Sequence, residues 1–205
     1  MKDALVAAVV HDLKNALASL TGSAEDIARR AAGTDLECDA RALHVATASL
    51  TQRMVGFLTL YRSGQAGLSA KLRDHTPADF LREFAAGLVL QSPVEVRIAD
   101  DDTTPFWYFD DYLTRMALEA AVQNALRFAR NTVVLSSGTR DGYLVFSVAD
   151  DGPGLGQDES GEPSTGLGTA LCEAIARAHT DGARTGRVVL RNRPGGGCVF
   201  EFWVP

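Results

Sequence analysis

Two glycine-rich segments in the second half of the chain carry residues that could hold a ligand. Asp150 ends a run typical of a β-strand and is followed by Asp151-Gly152-Pro153-Gly154. A carboxylate in this position can accept hydrogen bonds from a planar amino group, and glycines allow a ligand to approach the backbone. Further on, Gly166-Leu167-Gly168 directly precedes an apolar helical pattern. Such a turn presents N–H groups and the positive end of a helix dipole to a phosphate.

A third polar segment lies upstream, in a stretch predicted to be a long amphipathic helix. Asn124 and Arg127 are about one turn apart in this stretch. An amide oxygen can ligate Mg²⁺, and a guanidinium group can bind a phosphate. Taken alone, each of the three segments is also compatible with an ordinary turn or a polar surface position.

Together, and in this order, the three segments resemble the N, G1 and G2 boxes of the GHKL ATPase superfamily, whose domain has the Bergerat nucleotide-binding fold. The matching stretches read N-A-L-R-F, D-D-G-P-G and S-T-G-L-G-T-A-L, and the resemblance covers roughly residues 75–205. It implies ATP as the ligand, with Asp150 on the adenine amino group, Asn124 on Mg²⁺ and Arg127 near the phosphates. The residues implied to frame the nucleotide and its covering segment are Gly152, Gly154, Gly166, Leu167 and Gly168.

One histidine near the start of the chain has neighbours suited to phosphoryl transfer. The motif H-D-L-K-N, which begins at His11, resembles the H-box of the sensor histidine kinases, found upstream of the ATPase boxes on the first helix of a hairpin. An imidazole is a competent nucleophile toward a γ-phosphoryl group near neutral pH. Asp12 can orient the ring or take its proton, and Asn15 can position a water molecule for dephosphorylation of a partner. Helical spacing predicts that His11, Asn15, Ala18 and Gly22 share one face, away from the apolar stripe.

The first third of the chain is rich in alanine and leucine and predicts two helices that pack as a hairpin, broken near Gly33. Apolar residues recur at alternating three- and four-residue steps, which is typical of helices that pack on other helices. The stripes comprise Val6, Val9, Leu13, Leu17, Leu20, Ala24 and Ile27, then Leu43, Ala46, Leu50, Met54, Phe57 and Tyr61. Two such helices bury their stripes poorly alone, so we expect a four-helix bundle with a second copy. The alternative is a helical domain packed on the rest of its own chain.

The remainder of the chain interleaves helices with short β-branched runs, which indicates an α/β layered structure. Helices are predicted over residues 77–90, 110–129 and 168–179, and strands over residues 94–98, 132–136, 143–149, 187–191 and 198–204. His179 would end the last helix, where a positive charge suits the dipole. The predicted fold class is α+β. It consists of a helical hairpin (1–64), a linker (65–76) and an α/β two-layer sandwich of Bergerat type (77–205).

The composition limits the partners and the location. The 205 residues carry a net charge of −6 with a pI of about 5.2, which disfavours a nucleic-acid or anionic membrane surface. No apolar run reaches the roughly 18 residues that a membrane span needs. Cys38, Cys172 and Cys198 are odd in number and widely spaced. This argues against a disulfide framework or a cysteine zinc site and indicates a reducing cytoplasm.

These features predict a dimeric, cytoplasmic histidine kinase of a two-component system. It would transfer the ATP γ-phosphoryl group to His11 and then to an aspartate of a response-regulator receiver domain, with a further phosphatase activity through Asn15. Two alternatives stay open. Ala120 stands where the family carries asparagine, four residues before Asn124, which favours a histidine phosphotransferase with a weakened ATPase half. The other alternative is a non-catalytic protein that binds a regulator.

Overall fold

The computed structural model describes residues 2–88, 94–99, 104–156 and 166–205, without the side chains of residues 2–11, Lys14 and residues 62–66. Its close contacts group into two compact units. Most of the first unit is formed by Met1–Tyr61, and the second is formed by Arg62–Leu88 together with Ser92–Pro205.

The first unit is built from two long helices, α1 (Lys2–Ala31) and α2 (Glu37–Ala66). The predicted break between them is confirmed. Gly33 adopts a φ of +76°, a left-handed conformation that suits glycine just after a helix end. The Oγ1 atoms of Thr21 and Thr51 lie 2.8 Å apart and join the two helices by a hydrogen bond. The two helices therefore form an antiparallel hairpin.

The apolar residues of this hairpin lie on two different faces. Leu17, Ala24, Ala40 and Leu58 are buried. A second set is exposed although its side chains are large, namely Leu20, Ile27, Leu43, Leu50 and Phe57. Members of this second set recur at heptad spacing along each helix, so they form one line per helix. The sequence predicts one stripe per helix that needs a partner. In the structure only part of it is covered, because two helices bury only the sides that face each other.

The second unit contains a five-stranded sheet. In spatial order its strands are β2 (Glu95–Ala99), β4 (Thr132–Arg140), β5 (Tyr143–Asp150), β9 (Cys198–Val204) and β8 (Arg187–Asn192). The first pair is parallel, and every other neighbouring pair is antiparallel. Asp150 is the last residue of β5, and Ala149 pairs with Val199. Asp150 thus lies at the sheet end where β9 begins.

Three helices form a second layer on one face of this sheet: α3 (Pro77–Ala86), α4 (Asp111–Phe128) and α5 (Leu167–Ala178). The core between the layers is aromatic. The rings of Phe80 and Phe109 lie 5.5 Å and 5.4 Å from the ring of Phe146 in β5, centroid to centroid. The predicted α+β class is confirmed, since a helical hairpin precedes a two-layer α/β sandwich.

Four short strands are absent from the sequence prediction. β1 (Arg73–His75) pairs with β3 (Trp107–Phe109), and β6 (Thr180–Asp181) pairs with β7 (Arg184–Thr185). β1 lies within residues 65–76, which the sequence predicts as a linker. Strands of two or three residues carry too short an alternation to be recognised from sequence.

Several element boundaries also differ from the prediction. α2 continues to Ala66, past residue 64 where the hairpin is predicted to end, because one glycine inside a helix costs only about 1 kcal/mol. α3 ends at Ala86 rather than at Leu90, a residue outside the described part of the chain. β4 and β5 are joined by the two residues Asp141 and Gly142, whose φ angles are +53° and +74°. This tight turn replaces the longer connection left between the predicted strands 132–136 and 143–149, because left-handed turn residues match the twist of a hairpin.

Candidate functional site

Asp150 is buried at the end of the sheet, and the backbone around it holds its carboxylate. The residue is 6% exposed. Its Oδ1 accepts hydrogen bonds from the N–H of Gly152 at 2.8 Å and from the N–H of Cys198 at 3.2 Å. A carboxylate fixed in this way keeps acceptor capacity in a defined direction. It can serve as the acceptor for the amino group of a planar ligand.

Gly152 and Gly154 stand where a side chain would collide with neighbouring atoms. A Cβ on Gly152 would overlap the carbonyl oxygen of Phe128, the last residue of α4. A Cβ on Gly154 would lie 2.8 Å from Oδ1 of Asn192, and Gly154 has a φ of +93°, which favours glycine. The close approach at Gly152 places the last turn of α4 directly beside the loop that follows Asp150.

α4 and α5 lie side by side and antiparallel. Asp110 is the N-cap of α4, and its backbone N–H donates to Nε2 of His179, which follows α5, over 3.1 Å. Further along the pair, Sγ of Cys172 in α5 donates to a backbone carbonyl of α4 at 3.4 Å. The far end of this helix pair therefore holds Asn124 of α4 and Gly166 at the start of α5.

That far end is the one beside Asp150, since it includes the last turn of α4. Asn124 and Arg127 are both exposed there. The guanidinium carbon of Arg127 lies 5.1 Å from the ring centroid of Phe128. The structure thus brings the predicted metal ligand and the predicted phosphate contact to the same end of the second unit as the predicted adenine contact.

The start of α5 is suited to an anion. Gly166 caps the helix with a φ of +65°, and the first turn contains no acidic residue. The first N–H groups of a helix have no partner within it and attract negative charge. Leu167 is half-buried, whereas Gly168 is exposed and a Cβ on it would meet no atom within 4 Å. A Cβ on Gly166 would likewise meet no atom within 4 Å, so its left-handed backbone, and not packing, favours glycine there, and nothing within the chain requires glycine at position 168.

Asp151 contacts a different part of the chain from its neighbour Asp150. Its carboxylate accepts hydrogen bonds from the backbone N–H groups of Arg130, Asn131 and Thr132, which connect α4 to β4. Burial raises the pKa of Asp151, but these N–H donors outweigh that effect and lower the pKa to about 2. Asp151 is therefore charged at neutral pH and anchors this connection.

The sequence analysis missed the contribution of the turn between β8 and β9. Nη1 of Arg193 donates to the carbonyl oxygen of Asp150 at 2.9 Å. Oδ1 of Asn192 accepts from the N–H of Leu155 at 2.5 Å. The glycine run 195–197 is predicted only as a turn between strands. Its third glycine, which a tight turn does not require, is the one sequence signal for a close backbone approach.

A metal ion at this site would depend on few protein ligands. In the part of the chain that the structure describes, no three His, Cys, Asp or Glu side chains are grouped so that they could hold a metal ion. The exposed amide oxygen of Asn124 is a hard ligand of the kind that Mg²⁺ takes together with phosphate oxygens and water. The donor set therefore fits a cation that arrives with a nucleotide rather than one held by the protein alone.

A cavity of about 820 Å³ lies at the opposite end of the sheet from Asp150. It is lined by the β4–β5 turn at Gly142 and by an aromatic stretch, Phe106, Trp107 and Tyr108. None of the site residues predicted from the sequence lines it.

His11, Asp12 and Asn15 all lie in α1. The side chain of His11 is outside the described residues, so its predicted direction remains a prediction. Asp12, Asn15, Ala18 and Gly22 are exposed, and a Cβ on Gly22 would meet no atom within 4 Å. The face predicted to receive a partner is therefore built from small or polar exposed residues.

The prediction for His179 is wrong. It ends α5 as expected, but it is fully buried rather than a charged helix cap. Its Nδ1 lies 2.9 Å from the carbonyl oxygen of Ile175 and must donate, because Nε2 accepts from Asp110. Burial lowers the pKa of His179, so the ring is neutral and joins the ends of α4 and α5.

Comparisons with known proteins agree with this arrangement. Residues 110–205 match the family described as histidine kinase-, DNA gyrase B-, and HSP90-like ATPase. Sensor protein KdpD of Escherichia coli K12 is 27% identical over 100% of this chain, which covers 24% of KdpD. Sensor histidine kinase ZraS of the same organism is 25% identical over 98% of this chain and 45% of ZraS. The structure of full-length ShkA in complex with AMPPNP has a TM-score of 0.67 and 24% identity over 98% of this chain and 45% of that one.

The second unit therefore contains an ATPase domain of the GHKL superfamily. Within that superfamily, the chain is a relative of the two-component sensor histidine kinases. It spans about a quarter of the length of KdpD and less than half of the length of ZraS. Across the described residues, no helix combines the length and the apolar character that a membrane crossing needs.

Proposed function

We propose that this chain is a histidine kinase that phosphorylates His11 with ATP and passes the phosphoryl group to an aspartate of a response-regulator receiver domain. The observation that carries the ATP half of this proposal is the buried Asp150 carboxylate, held by two backbone N–H groups beside glycines that leave room for a ligand. The complex of the structural neighbour ShkA with AMPPNP supports the same ligand class.

In this proposal, residues at one end of the second unit contact different parts of the nucleotide. Asp150 accepts from the adenine amino group, and Gly152 and Gly154 let the backbone approach the ligand. Gly166, Leu167 and Gly168 present the N-terminus of α5 to the phosphates, and Arg127 adds a positive charge. Asn124 ligates Mg²⁺, which neutralises phosphate charge when it is bound.

The transfer itself requires a nucleophile and a base. A ring nitrogen of His11 forms a bond to the γ-phosphorus, and the bond from that phosphorus to the β–γ bridging oxygen breaks, so ADP leaves. Asp12 orients the ring or takes its proton. The phosphoryl group then moves from the histidine nitrogen to a carboxylate oxygen of the receiver aspartate. Asn15 positions the water molecule that later removes it from the partner, which gives the chain a phosphatase activity.

The proposed organisation follows from the same elements. Residues 1–64 form the dimerisation and phosphotransfer hairpin, residues 65–76 a linker that contains strand β1, and residues 77–205 the ATP-binding domain. The exposed apolar lines of α1 and α2 pair with those of a second copy to make a four-helix bundle. The protein acts in the cytoplasm, where ATP and receiver domains are available.

Labelling with γ-labelled ATP tests this function. The wild type should gain acid-labile label, and His11→Gln should gain none while it still binds nucleotide. His44→Gln is the matched control, because His44 is a half-buried histidine of the same hairpin, and it should label like the wild type. Asn15→Ala should label normally but slow the loss of phosphate from a receiver domain. Full labelling of His11→Gln would contradict the mechanism.

A second candidate is a histidine phosphotransferase that only shuttles phosphate between receiver domains. Ala120 favours it, because this α4 position offers no polar side chain where the family has asparagine. In the same assay, label gained from a phosphorylated receiver but not from ATP would identify this activity. No label from either source would indicate a non-catalytic protein that binds a regulator.

A further inference from the structure

The backbone carbonyl of Asp150 is held by a side chain from outside its own strand. The ladder between β5 and β9 ends at the pair Ala149 and Val199. Beyond that pair, the N–H of Cys198 donates to the Asp150 carboxylate at 3.2 Å and not to a backbone carbonyl. The carbonyl oxygen of Asp150 instead accepts from Nη1 of Arg193 at 2.9 Å. Arg193 thus replaces the next hydrogen bond that the ladder would have made.

The turn that carries Arg193 is pressed against the same carbonyl. Gly197 has a φ of +84°, and a Cβ on it would overlap the carbonyl oxygen of Asp150. Only glycine allows this approach. On the other side, Asp151 is bound through its carboxylate to the backbone N–H groups between α4 and β4. The peptide between Asp150 and Asp151 is therefore fixed from two directions.

We propose that Arg193 is a positioning residue that sets the direction of the Asp150 carboxylate for adenine recognition. This inference rests on the proposed nucleotide binding at Asp150. Arg193 acts on the backbone of Asp150, whereas Asp150 would touch the ligand. When the guanidinium donor is lost, the carbonyl loses its partner and the strand end can rotate. The carboxylate then no longer points consistently at the amino group.

Arg184 provides a matched control at the other end of the sheet. Its Nη1 also donates to a backbone carbonyl at 2.9 Å, that of Gly142 in the β4–β5 turn. Both interactions join an arginine to a turn or strand end by one hydrogen bond. They differ in whether the accepting residue is the proposed adenine contact.

The test is calorimetric binding of ADP and ATP with Mg²⁺ to the full chain and three variants, with melting temperatures recorded alongside. Arg193→Ala should weaken both nucleotides by about tenfold, on the order of one hydrogen bond to a charged group. The ratio of ATP to ADP affinity should stay constant, because the change lies at the adenine end. Arg193→Lys should recover part of the loss, since an ammonium group can donate to the same carbonyl. Arg184→Ala should bind like the wild type.

Four results would overturn the inference. Wild-type affinity in Arg193→Ala would show that the contact does not position Asp150. Equal weakening in Arg193→Ala and Arg184→Ala would show a general loss of stability. A loss confined to ATP, with ADP unchanged, would show that Arg193 acts at the phosphate end and not at the adenine end. A wild type that binds neither nucleotide would overturn both this inference and the proposed function, which separates that failure from the other three.

Discussion

Adjacent carboxylates at the end of β5 have opposite surroundings. Asp150 is buried and shares one oxygen between two N–H groups. Asp151 is bound through its carboxylate to three consecutive backbone N–H groups. Because side chains alternate across a strand, two neighbouring residues at its end face different elements. The Asp151 carboxylate therefore stabilises the fold, whereas the Asp150 carboxylate is the one proposed to contact a ligand.

Asp150→Asn tests whether the Asp150 carboxylate binds the nucleotide. We expect ATP binding to weaken by about 1–3 kcal/mol, because an amide replaces a charged acceptor and can turn a donor toward the amino group. Asp181→Asn, on the exposed strand β6 at the distant end of the unit, should leave binding unchanged. Isothermal titration calorimetry measures both. Equal affinity in Asp150→Asn and the wild type would contradict the assignment of Asp150.

Asp151→Ala tests whether the Asp151 carboxylate stabilises the fold. Three backbone N–H groups would lose their acceptor, so the free energy of unfolding should fall by about 1–2 kcal/mol. Urea denaturation monitored by circular dichroism gives this value, with Asp181→Ala as the control. The pKa of Asp151 lies near 2, below the ordinary 3.8. Its contribution to stability is therefore present at neutral pH and is lost as the pH falls from about 4 toward 2. Destabilisation that is the same at pH 7 and pH 2 would argue against this role.

At the scale of elements, the helical hairpin exposes a line of large apolar side chains along each helix. Leu20, Ile27, Leu43, Leu50 and Phe57 are each about half exposed. Their heptad spacing places them on one line per helix. Large apolar side chains grouped at the surface of a helix pair are typical of an interface.

Leu50→Glu tests whether that line forms the dimer. Leu50 is 51% exposed, so the hairpin should tolerate the change, but two buried glutamates facing each other in a dimer would lack partners. We expect light scattering to report a dimer for the wild type and a monomer for the variant at micromolar concentration. Leu50→Met keeps the apolar volume and should remain dimeric. A monomeric wild type would contradict the four-helix bundle.

At the scale of the whole second unit, the two ends of the α4–α5 pair differ in burial and composition. One end holds the exposed Asn124, Arg127 and Gly166 beside Asp150. The other end is closed by His179, whose ring is fully buried and hydrogen-bonded to both helices. The end that contains His179 is packed into the core, whereas the end beside Asp150 is formed by glycine and exposed polar residues.

His179 should make the stability of this unit depend on pH. Burial lowers its pKa below the ordinary 6.5. Just below that pH the unfolded chain therefore binds a proton that the folded chain does not bind. The stability is therefore fully present above about pH 6.5 and falls as the pH decreases, by at most about 1.4 kcal/mol per pH unit for one proton. Urea denaturation between pH 7.5 and 5 measures the slope.

His179→Gln is the comparison for this slope. Glutamine can still accept the Asp110 N–H but does not titrate, so part of the pH dependence in this range should vanish even if the variant is less stable overall. A wild type and a variant with the same slope would show that His179 does not carry the effect.

The sequence alone determined where several helices and strands of this protein lie and which residues carry their periodic patterns. Gly33 was recognisable because the residue just after a helix end often adopts positive φ. Gly166 was recognisable as part of a glycine-rich turn that directly precedes an apolar helical pattern. The apolar repeat of the hairpin and the alternation in β5 and β9 follow from the helix and strand periods. The predicted site residues of the second unit rest on a resemblance: the segments that contain Asn124, Asp150 and Gly166 occur in the order of the N, G1 and G2 boxes of the GHKL superfamily. Their roles, and that of His11, remain predictions.

Only the tertiary structure decided which residues pack against these elements and form hydrogen bonds with them. The three-residue strands β1 and β3 exist because each pairs with the other, and neither has a pattern of its own. His179 became a neutral core residue because its ring is buried where α4 packs against α5, with the N–H of Asp110 on Nε2. Arg193 and Gly197 reached Asp150 across more than forty positions of sequence, since strand pairing brings β9 beside β5. Local sequence sets backbone conformation, whereas burial and partners are set by residues distant in the chain, and no local pattern encodes them.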